Sequence, residues 1–518
     1  MHSAAARGHT LISDRFILTH AAGKSKHYFQ KTGRFSLSRL DFSTRFRYHE
    51  QVARATNRKQ KAWHSNVEQT DLTQGVIWKQ MLIFALPVFL GNVFQQFYNA
   101  FDSWVVGNFL GDDALAAVSS SGNLIFMFVG FFNGVAMGAG VIIAKFFGAR
   151  DYASMERAIH TDVAFGLVSG VILTALGVAF TPTVLGWMGT PADVLPQSVS
   201  YFRWYFCGAI FTVMYNIFVG ILHAVGDSRH PLYYLMISTG VNVVLDLLLV
   251  GVLHRGVGSA ALATTISQGI SALLCCLKLM RVQAPYRLCL RKIRFHRRSL
   301  WDIIRYGLPS GVQNSVIGLA NLVVQTNINS FGKAAMAGCG AYSKIEGFAF
   351  LPITCFAQAL ATFVGQNLGA MRYDRVKRGV RFGILCSTLA AEGIGLISYL
   401  LAPQLIGIFN RDPQVLSFGV RHMRVICLFY CLLAFSHCIA GIMRGAGKAG
   451  VPMMTMLGCW CVLRVSYITL AIRRFNRLET VSWAYPLTWF CSGVIFLIYF
   501  LKADWMHAFA QADEKAAT

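Results

Sequence analysis

Twelve apolar segments follow one another between residues 78 and 502, and they constrain the fold more than any other feature. Each is long enough to cross the hydrocarbon core of a bilayer as an α-helix, and short loops separate most of them. Only 14% of the residues are charged, whereas a soluble protein carries about a quarter. The sequence therefore predicts an all-α, polytopic membrane protein with spans near residues 78–106, 114–144, 158–182, 199–222, 231–253, 257–280, 303–330, 335–365, 382–402, 419–443, 452–472 and 481–502.

The second half of the chain repeats the first. Leu86 and Pro87 match Leu308 and Pro309, and residues 220–231 (GILHAVGDSRHP) match residues 441–452 (GIMRGAGKAGVP). Because each repeat has an even number of spans, both copies have the same orientation in the membrane. We predict a six-helix lobe at residues 73–281, a basic cytoplasmic linker at 282–302, a second six-helix lobe at 303–502 and a tail at 503–518.

Basic residues are unevenly distributed along the chain. Residues 1–72 are rich in Lys and Arg and lack a long apolar segment, so we expect a disordered extension or an untranslated upstream region without function. Further on, Lys and Arg concentrate in alternate loops, which predicts a cell-membrane protein with both termini in the cytoplasm. The formal net charge of +24 therefore indicates contact with anionic lipid headgroups, and no nucleic-acid partner is expected.

Polar side chains interrupt the apolar spans of the first lobe. In the first span they lie on one side of the helix and end in a carboxylate (Asn92, Gln96, Asn99 and Asp102). Acidic residues inside a membrane usually face a water-filled cavity, a cation or a proton-transfer partner. The amides have a structural alternative, which is a polar contact between helices.

The fifth and sixth spans add a second polar group. Asn242 and Asp246 are one helical turn apart in the fifth span, and Thr264 lies in the sixth. At the positions that align with Asp102 and Asp246, the second lobe has uncharged residues. If the two carboxylates converge, they would either bind a hard cation such as Na⁺ through oxygen or share a proton.

Other polar residues are weaker candidates for a substrate cavity, and each could equally be a structural partner. With Asn92, Gln96 and Asn99, they are Asn314, Asn321, Gln325, Glu346 and Gln358. The segment GAGKAG at residues 445–450 does not match a phosphate-binding loop. We found no catalytic motif, so the sequence predicts neither an enzyme nor a cofactor, and an ion gradient is the expected energy source.

Several motifs together resemble the MATE (multidrug and toxic compound extrusion) family, nearest its DinF-like bacterial branch. They are YNAFDSWVVGNFLGDDALAAVS at 98–119, NVVLDLLLVG at 242–251, GVGSAALATTISQ at 256–268 and VGQNLGA at 364–370. The resemblance implies twelve helices in two six-helix lobes. It also implies that Asp102, Asn242, Asp246 and Thr264 form an H⁺ or Na⁺ coupling site. One residue departs from the family pattern: Leu247 follows Asp246 where Pro is frequent, so the helix shape there is expected to differ.

We therefore predict an antiporter that exports cationic or amphipathic drugs or metabolites by alternating access, coupled to H⁺ or Na⁺. It would act as a monomer surrounded by membrane lipids. One alternative is a lipid-intermediate flippase of the same superfamily, which should have a strongly basic central cavity. A membrane-embedded enzyme or receptor is a further alternative, which the tandem repeat and the short loops disfavour.

Overall fold

The computed structural model describes residues 71–187 and 194–511, with side chains except at 112, 113, 115–117, 119–128 and 319. Within these ranges the chain forms helices and no strand, which confirms the predicted all-α fold. The predicted extension at residues 1–70 lies outside the described residues.

The helices of the first lobe are α1 (Ile77–Leu110), α2 (Asp112–Gly148), α3 (Tyr152–Trp187), α4 (Leu195–Cys207), α5 (Ala209–Ala224), α6 (Arg229–Asp246) and α7 (Val257–Arg281). Those of the second lobe are α8 (Arg297–Asn329), α9 (Lys333–Gly369), α10 (Tyr373–Leu400), α11 (Ala402–Gly407), α12 (Pro413–Cys427), α13 (Tyr430–Gly445), α14 (Gly450–Met456), α15 (Arg464–Arg474) and α16 (Leu478–Lys502). A π-helical turn, Leu247–Val252, extends α6, and another, Leu457–Leu463, joins α14 to α15.

Among the described residues, nine continuous helices are long and apolar enough to cross a membrane. Two bent pairs, α4 with α5 (46°) and α12 with α13 (52°), raise the number to eleven. Helix α8 has 33 residues but does not belong to this set, because its Asn, Gln and Gly residues lower its mean hydropathy. The chain is thus a multi-pass membrane protein, and the count of twelve spans stays a prediction.

The helix shape changes directly after Asp246. The α-helical hydrogen bonds of α6 end there, and the π-helical turn begins at Leu247, the residue that replaces the frequent Pro. Since a π turn packs more than four residues into one turn, it rotates the side chains that follow it. This turn lies next to the buried Asp246 carboxylate, where a local change of helix shape directly affects the candidate site.

The two lobes are in close contact at one end of the bundle. We call it the basic end, after the basic residues in its α2–α3 and α9–α10 turns (Lys145, Arg150, Arg372 and Arg375). Gly148 is the last residue of α2, and Gly369 is the last residue of α9. A Cβ atom on Gly148 would overlap the carbonyl oxygen of Gln366, and one on Gly369 would overlap that of Lys145. The backbones of α2 and α9 are therefore in direct contact, so the lobes are closed at the basic end.

A polar contact reinforces this closure. Residues 71–75 cross the basic end ahead of α1, and the N–H of Leu72 donates to Oε1 of Gln366 (3.0 Å). The side-chain amide of Gln366 donates in turn to the carbonyl oxygen of Ala224 in the first lobe (2.8 Å). Arg375 donates to the Leu72 carbonyl oxygen (3.1 Å). Leu72 is only 3% exposed and packs in a hydrophobic cluster with residues of α9 and α10, so this segment attaches the start of α1 to the second lobe.

Candidate functional site

A cavity of about 700 Å³ opens inside the first lobe. Helices α1, α2, α4, α5, α6 and α7 form most of its wall, and α9 of the second lobe contributes the remainder. Five of the polar residues singled out in the sequence line it: Asn92, Asn99, Asp102, Thr264 and Gln358. The cavity is therefore built mainly by one lobe and closed on one side by the other.

The four residues of the predicted coupling site converge at this cavity. Asp102 of α1 and Thr264 of α7 are on its wall, 7% and 8% exposed, whereas Asn242 and Asp246 of α6 are fully buried behind it. The two carboxylates are close enough to interact electrostatically. Tyr98, one turn before Asp102, interacts with both of them and lies beside Thr264. Sequence reasoning could not establish this convergence, because it depends on how α1, α6 and α7 pack.

Contacts between α6 and α7 position the coupling residues. The Ser238 hydroxyl donates to the backbone carbonyl oxygen of Ser267 (2.5 Å), and Ser271 donates to the Ser238 hydroxyl (3.2 Å). These bonds fix the rotation of α6 against α7. Because Asn242 and Asp246 follow Ser238 at intervals of four residues, the same face of α6 carries them toward α7 and the cavity.

Several buried polar atoms of the site have no hydrogen-bond partner among the described residues. They include both carboxylate oxygens of Asp246, both polar side-chain atoms of Asn242 and one oxygen of Asp102. Leaving a buried polar group unpaired costs about 1–3 kcal/mol, and more when the group is charged. A cation bound through oxygen ligands, or protons on the carboxylates, would remove that cost, so the donor set fits either Na⁺ or H⁺. Within the described ranges, no three His, Cys, Asp and Glu side chains cluster around a common point, so a bound Na⁺ would need amide, hydroxyl, carbonyl or water oxygens in addition to the two carboxylates.

Two amides predicted for the cavity connect the lobes. Asn92 of α1 donates to the Cys355 sulfur of α9 (3.4 Å), and Gln358 of α9 pairs with the His223 ring of α5 (3.1 Å). Both amides therefore lie where the first lobe meets α9. A change in the angle between the lobes would alter these contacts.

The structure does not bring five other candidates to the cavity wall. Gln96 faces Gly347 of α9, and Asn314 donates to the Gly130 carbonyl oxygen of α2 (3.1 Å). Gln325 donates to Asn329 (2.8 Å), and Asn321 is exposed. The Glu346 carboxylate accepts a hydrogen bond from Tyr342 (2.9 Å). Asn314 is thus a polar contact between helices, which is the structural alternative for such amides.

Sequence reasoning missed several residues that line the cavity. They are the three tyrosines Tyr98, Tyr201 and Tyr205, together with His223 and Lys344. One signal was available for Tyr98, since it precedes Asp102 by one helical turn. The repeat provided a signal for His223. This residue aligns with Arg444 of the second copy, so both copies have a basic side chain at this position of an apolar span. The tyrosines of α4 carried no signal, because aromatic residues are common in membrane helices.

Glu346 belongs to a polar cluster inside the second lobe. The Tyr342 hydroxyl, which donates a hydrogen bond to the Glu346 carboxylate, is also hydrogen-bonded to the Tyr430 hydroxyl (3.2 Å). Arg464, 2% exposed, interacts electrostatically with Glu346 and lies over the Tyr485 ring at 4.5 Å from its centroid. A buried cation is stable only where charge and π-electron partners surround it. Glu346 therefore has a structural partner, and its side chain is directed away from the cavity.

We expect Glu346→Gln to lower the Tm of the purified protein by several degrees and to leave transport near the wild-type rate. The substitution leaves the buried Arg464 charge without its acidic neighbour, which destabilises the fold. Thermal unfolding in detergent and transport in liposomes measure the two effects. Glu479→Gln is the control, since Glu479 pairs with Arg421 at the surface. Lost transport at an unchanged Tm would instead assign Glu346 a role in coupling.

A protein-family model described as MatE matches the chain twice, at residues 87–248 and 309–470. The two matches cover more than half of the chain and begin at the paired prolines Pro87 and Pro309. They confirm the predicted internal repeat.

The chain is similar to two curated proteins and to a solved structure. The probable multidrug resistance protein YoeA of Bacillus subtilis (strain 168) is 27% identical over 82% of this chain and 93% of its own length. The probable multidrug resistance protein YpnP of the same organism is 27% identical over 77% of this chain and 89% of its own length. An outward-facing multidrug resistance MATE transporter of the MOP superfamily superimposes with a TM-score of 0.78 at 22% identity, covering 86% of this chain and 98% of that structure.

Proposed function

This chain belongs to the MATE family, and we propose that it is a cation-coupled antiporter that exports cationic or amphipathic compounds. The proposal places it in the cell membrane as a monomer, with both termini in the cytoplasm. The coupling ion is H⁺ or Na⁺, and the exported compound is a small drug-like molecule or metabolite. Transport of this kind needs an ion site, a substrate cavity and two alternating conformations.

The observation that carries the proposal is the pair of carboxylates beside the cavity. Asp102 lies on the cavity wall and Asp246 lies behind it, and both have oxygens without a hydrogen-bond partner among the described residues. Charged groups in a membrane interior are costly, so they are retained where they serve a function. Only the first lobe has these acids, which supports a coupling site in one lobe over a symmetric structural role.

Ion binding would be linked to a movement of the lobes. The closed basic end and the cavity in the first lobe are consistent with a state in which the substrate has no path to the cytoplasm. In the proposed cycle, H⁺ or Na⁺ occupies Asp102 and Asp246, which alters α1 between Pro87 and Asp102 and displaces the substrate. The ion drives the cycle only to the extent that it binds the two conformations with different affinity.

The charges on the cavity wall can be compared with those expected of a flippase. A lipid-diphosphate substrate would need a wall with many cations. Of the described residues that line this cavity, Asp102 is acidic, Lys344 is basic and His223 is titratable. This mixed charge does not favour the flippase.

Reconstituted vesicles test the proposal. We expect the purified protein to move a fluorescent cationic dye against its gradient when either a pH gradient or a Na⁺ gradient is imposed, and not when both are absent. Applying the two gradients separately identifies the coupling ion. Dye movement that persists without either gradient and follows only the dye's own concentration difference would contradict an antiporter.

A further inference from the structure

We propose that Lys344 forms an anion-binding subsite of the transport cavity, so that the preferred substrates are amphoteric and carry a carboxylate as well as a cationic group. This inference rests on the proposed export function and specifies its substrate class. It is narrower than the prediction of a cationic or amphipathic substrate.

Lys344 contributes a positive charge to the cavity. It lies in α9, is exposed, and is part of the cavity wall opposite the first lobe. Its ammonium group makes no hydrogen bond or ion pair with the described residues. A lysine inside a membrane protein normally pairs with an acid or extends to the headgroups. A free ammonium on the wall of a polar cavity instead remains available to a ligand.

The nearest acid in the sequence does not neutralise this charge. Glu346 is two residues from Lys344, which is about 200° around an α-helix. Its carboxylate is bonded to the Tyr342 hydroxyl (2.9 Å) and lies near Arg464 inside the second lobe. The two side chains therefore point to different sides of α9, and only the lysine reaches the cavity.

Packing between α1 and α9 gives the depth of Lys344. The two helices are antiparallel, with Phe97 against Phe348 (ring centroids 6.3 Å apart). From this contact, Asp102 is five residues further along α1 and Lys344 is four residues back along α9. At 1.5 Å per residue, both lie about 6–8 Å beyond the phenylalanine pair. A cation of one lobe and the coupling carboxylate of the other thus face the same cavity at a similar depth.

This arrangement matches a molecule with two opposite charges. Its cationic group would lie toward Asp102 and the tyrosines of the first lobe, where cation–π contacts add to the attraction. Its carboxylate would lie at Lys344 in a charge-assisted hydrogen bond. When the coupling ion neutralises Asp102, the cationic group loses its partner, whereas the contact at Lys344 persists until the lobes move apart.

A matched pair of dyes tests the inference. Tetramethylrhodamine free acid has a carboxylate and a cationic ring system, and its methyl ester lacks the free carboxylate but is otherwise the same. Fluorescence anisotropy measures the binding of each dye to purified protein without any gradient. We expect Lys344→Met to weaken binding of the free acid about tenfold and to leave the ester unchanged, since a hydrogen bond to a charged group contributes this much.

Two control variants accompany the measurement. Lys344→Arg retains the positive charge and should keep most of the affinity for the free acid. Lys333→Met makes the same change at an exposed site at the start of α9, away from the cavity wall, and should leave both dyes unaffected. Unchanged binding of the ester to Lys344→Met also shows that this variant is folded.

Three results would overturn the inference. They are no detectable binding of the free acid to the wild type, equal binding of the free acid to the wild type and Lys344→Met, and an equal loss for both dyes. The last would indicate that Lys344 maintains the shape of the cavity or pairs with Asp102 in another conformation. Because binding needs no gradient, these outcomes are independent of the vesicle assay that tests export.

Discussion

Asp102→Asn is expected to reduce gradient-driven dye transport to the passive leak of protein-free liposomes. The substitution keeps the size and most of the polarity of the side chain, but it removes the group that can take up a proton or a charge-balancing cation. Because Asp102 is on the cavity wall and Asp246 lies behind it, the variant disconnects the remaining carboxylate from the cavity. Transport in liposomes under pH and Na⁺ gradients measures the loss.

Asp504→Asn is the matched control for this variant. Asp504 is more than half exposed, bonds His507 beyond the end of α16 and lies outside the spans, so the same chemical change there should leave transport unaltered. A Tm of purified Asp102→Asn close to that of the wild type, measured by thermal unfolding in detergent, checks that the variant is still folded. Gradient-driven transport at the wild-type rate in Asp102→Asn would refute the coupling role of this residue.

We expect Gly148→Ala to prevent closure of the two lobes at the basic end and so to reduce transport strongly. The added methyl group would overlap the carbonyl oxygen of Gln366, and neither backbone can yield without separating α2 from α9. The population should shift toward a conformation open at the basic end, and transport should fall because an exchanger needs both conformations. The variant thus tests whether the observed lobe contact is a working gate.

Spin labels can report the opening of this gate. In a background without native cysteines, labels at Asp151 and Asp374 are on exposed parts of opposite lobes at the basic end. We expect longer distances between them in Gly148→Ala than in the wild type. Gly393→Ala is the control, because a Cβ atom there meets nothing within 4 Å. Identical distances and transport in Gly148→Ala and the wild type would show that the contact does not limit the cycle.

The membrane fold and the two acids could be predicted from the sequence for a common physical reason. Long apolar segments have few alternatives to spanning a bilayer, and a carboxylate inside one is costly enough to indicate a function. Asp102 and Asp246 satisfy both conditions without any knowledge of packing. The repeat was also visible, because its glycines, prolines and asparagines recur at a nearly constant interval.

The sequence could not predict which way a side chain points from its helix or which helix it contacts, because both depend on how the helices pack. Glu346 and Lys344 are in the same span, and their orientations became apparent only from the packing of α9. The contact of Gly148 with α9 joins residues more than two hundred positions apart. Amides such as Asn314 gave equal grounds for a cavity and for an interface, and only the neighbouring helix decided between them.

The most direct test of the account is whether a substrate gradient drives the coupling ion in the opposite direction. In vesicles prepared without an ion gradient, a cationic dye gradient should produce H⁺ or Na⁺ flux opposite to the dye, detected with an internal pH indicator or with radioactive sodium. This counterflux should be present in the wild type and absent in Asp102→Asn. Dye movement through the wild type without any opposing ion flux would contradict the claim that this protein is a cation-coupled exporter.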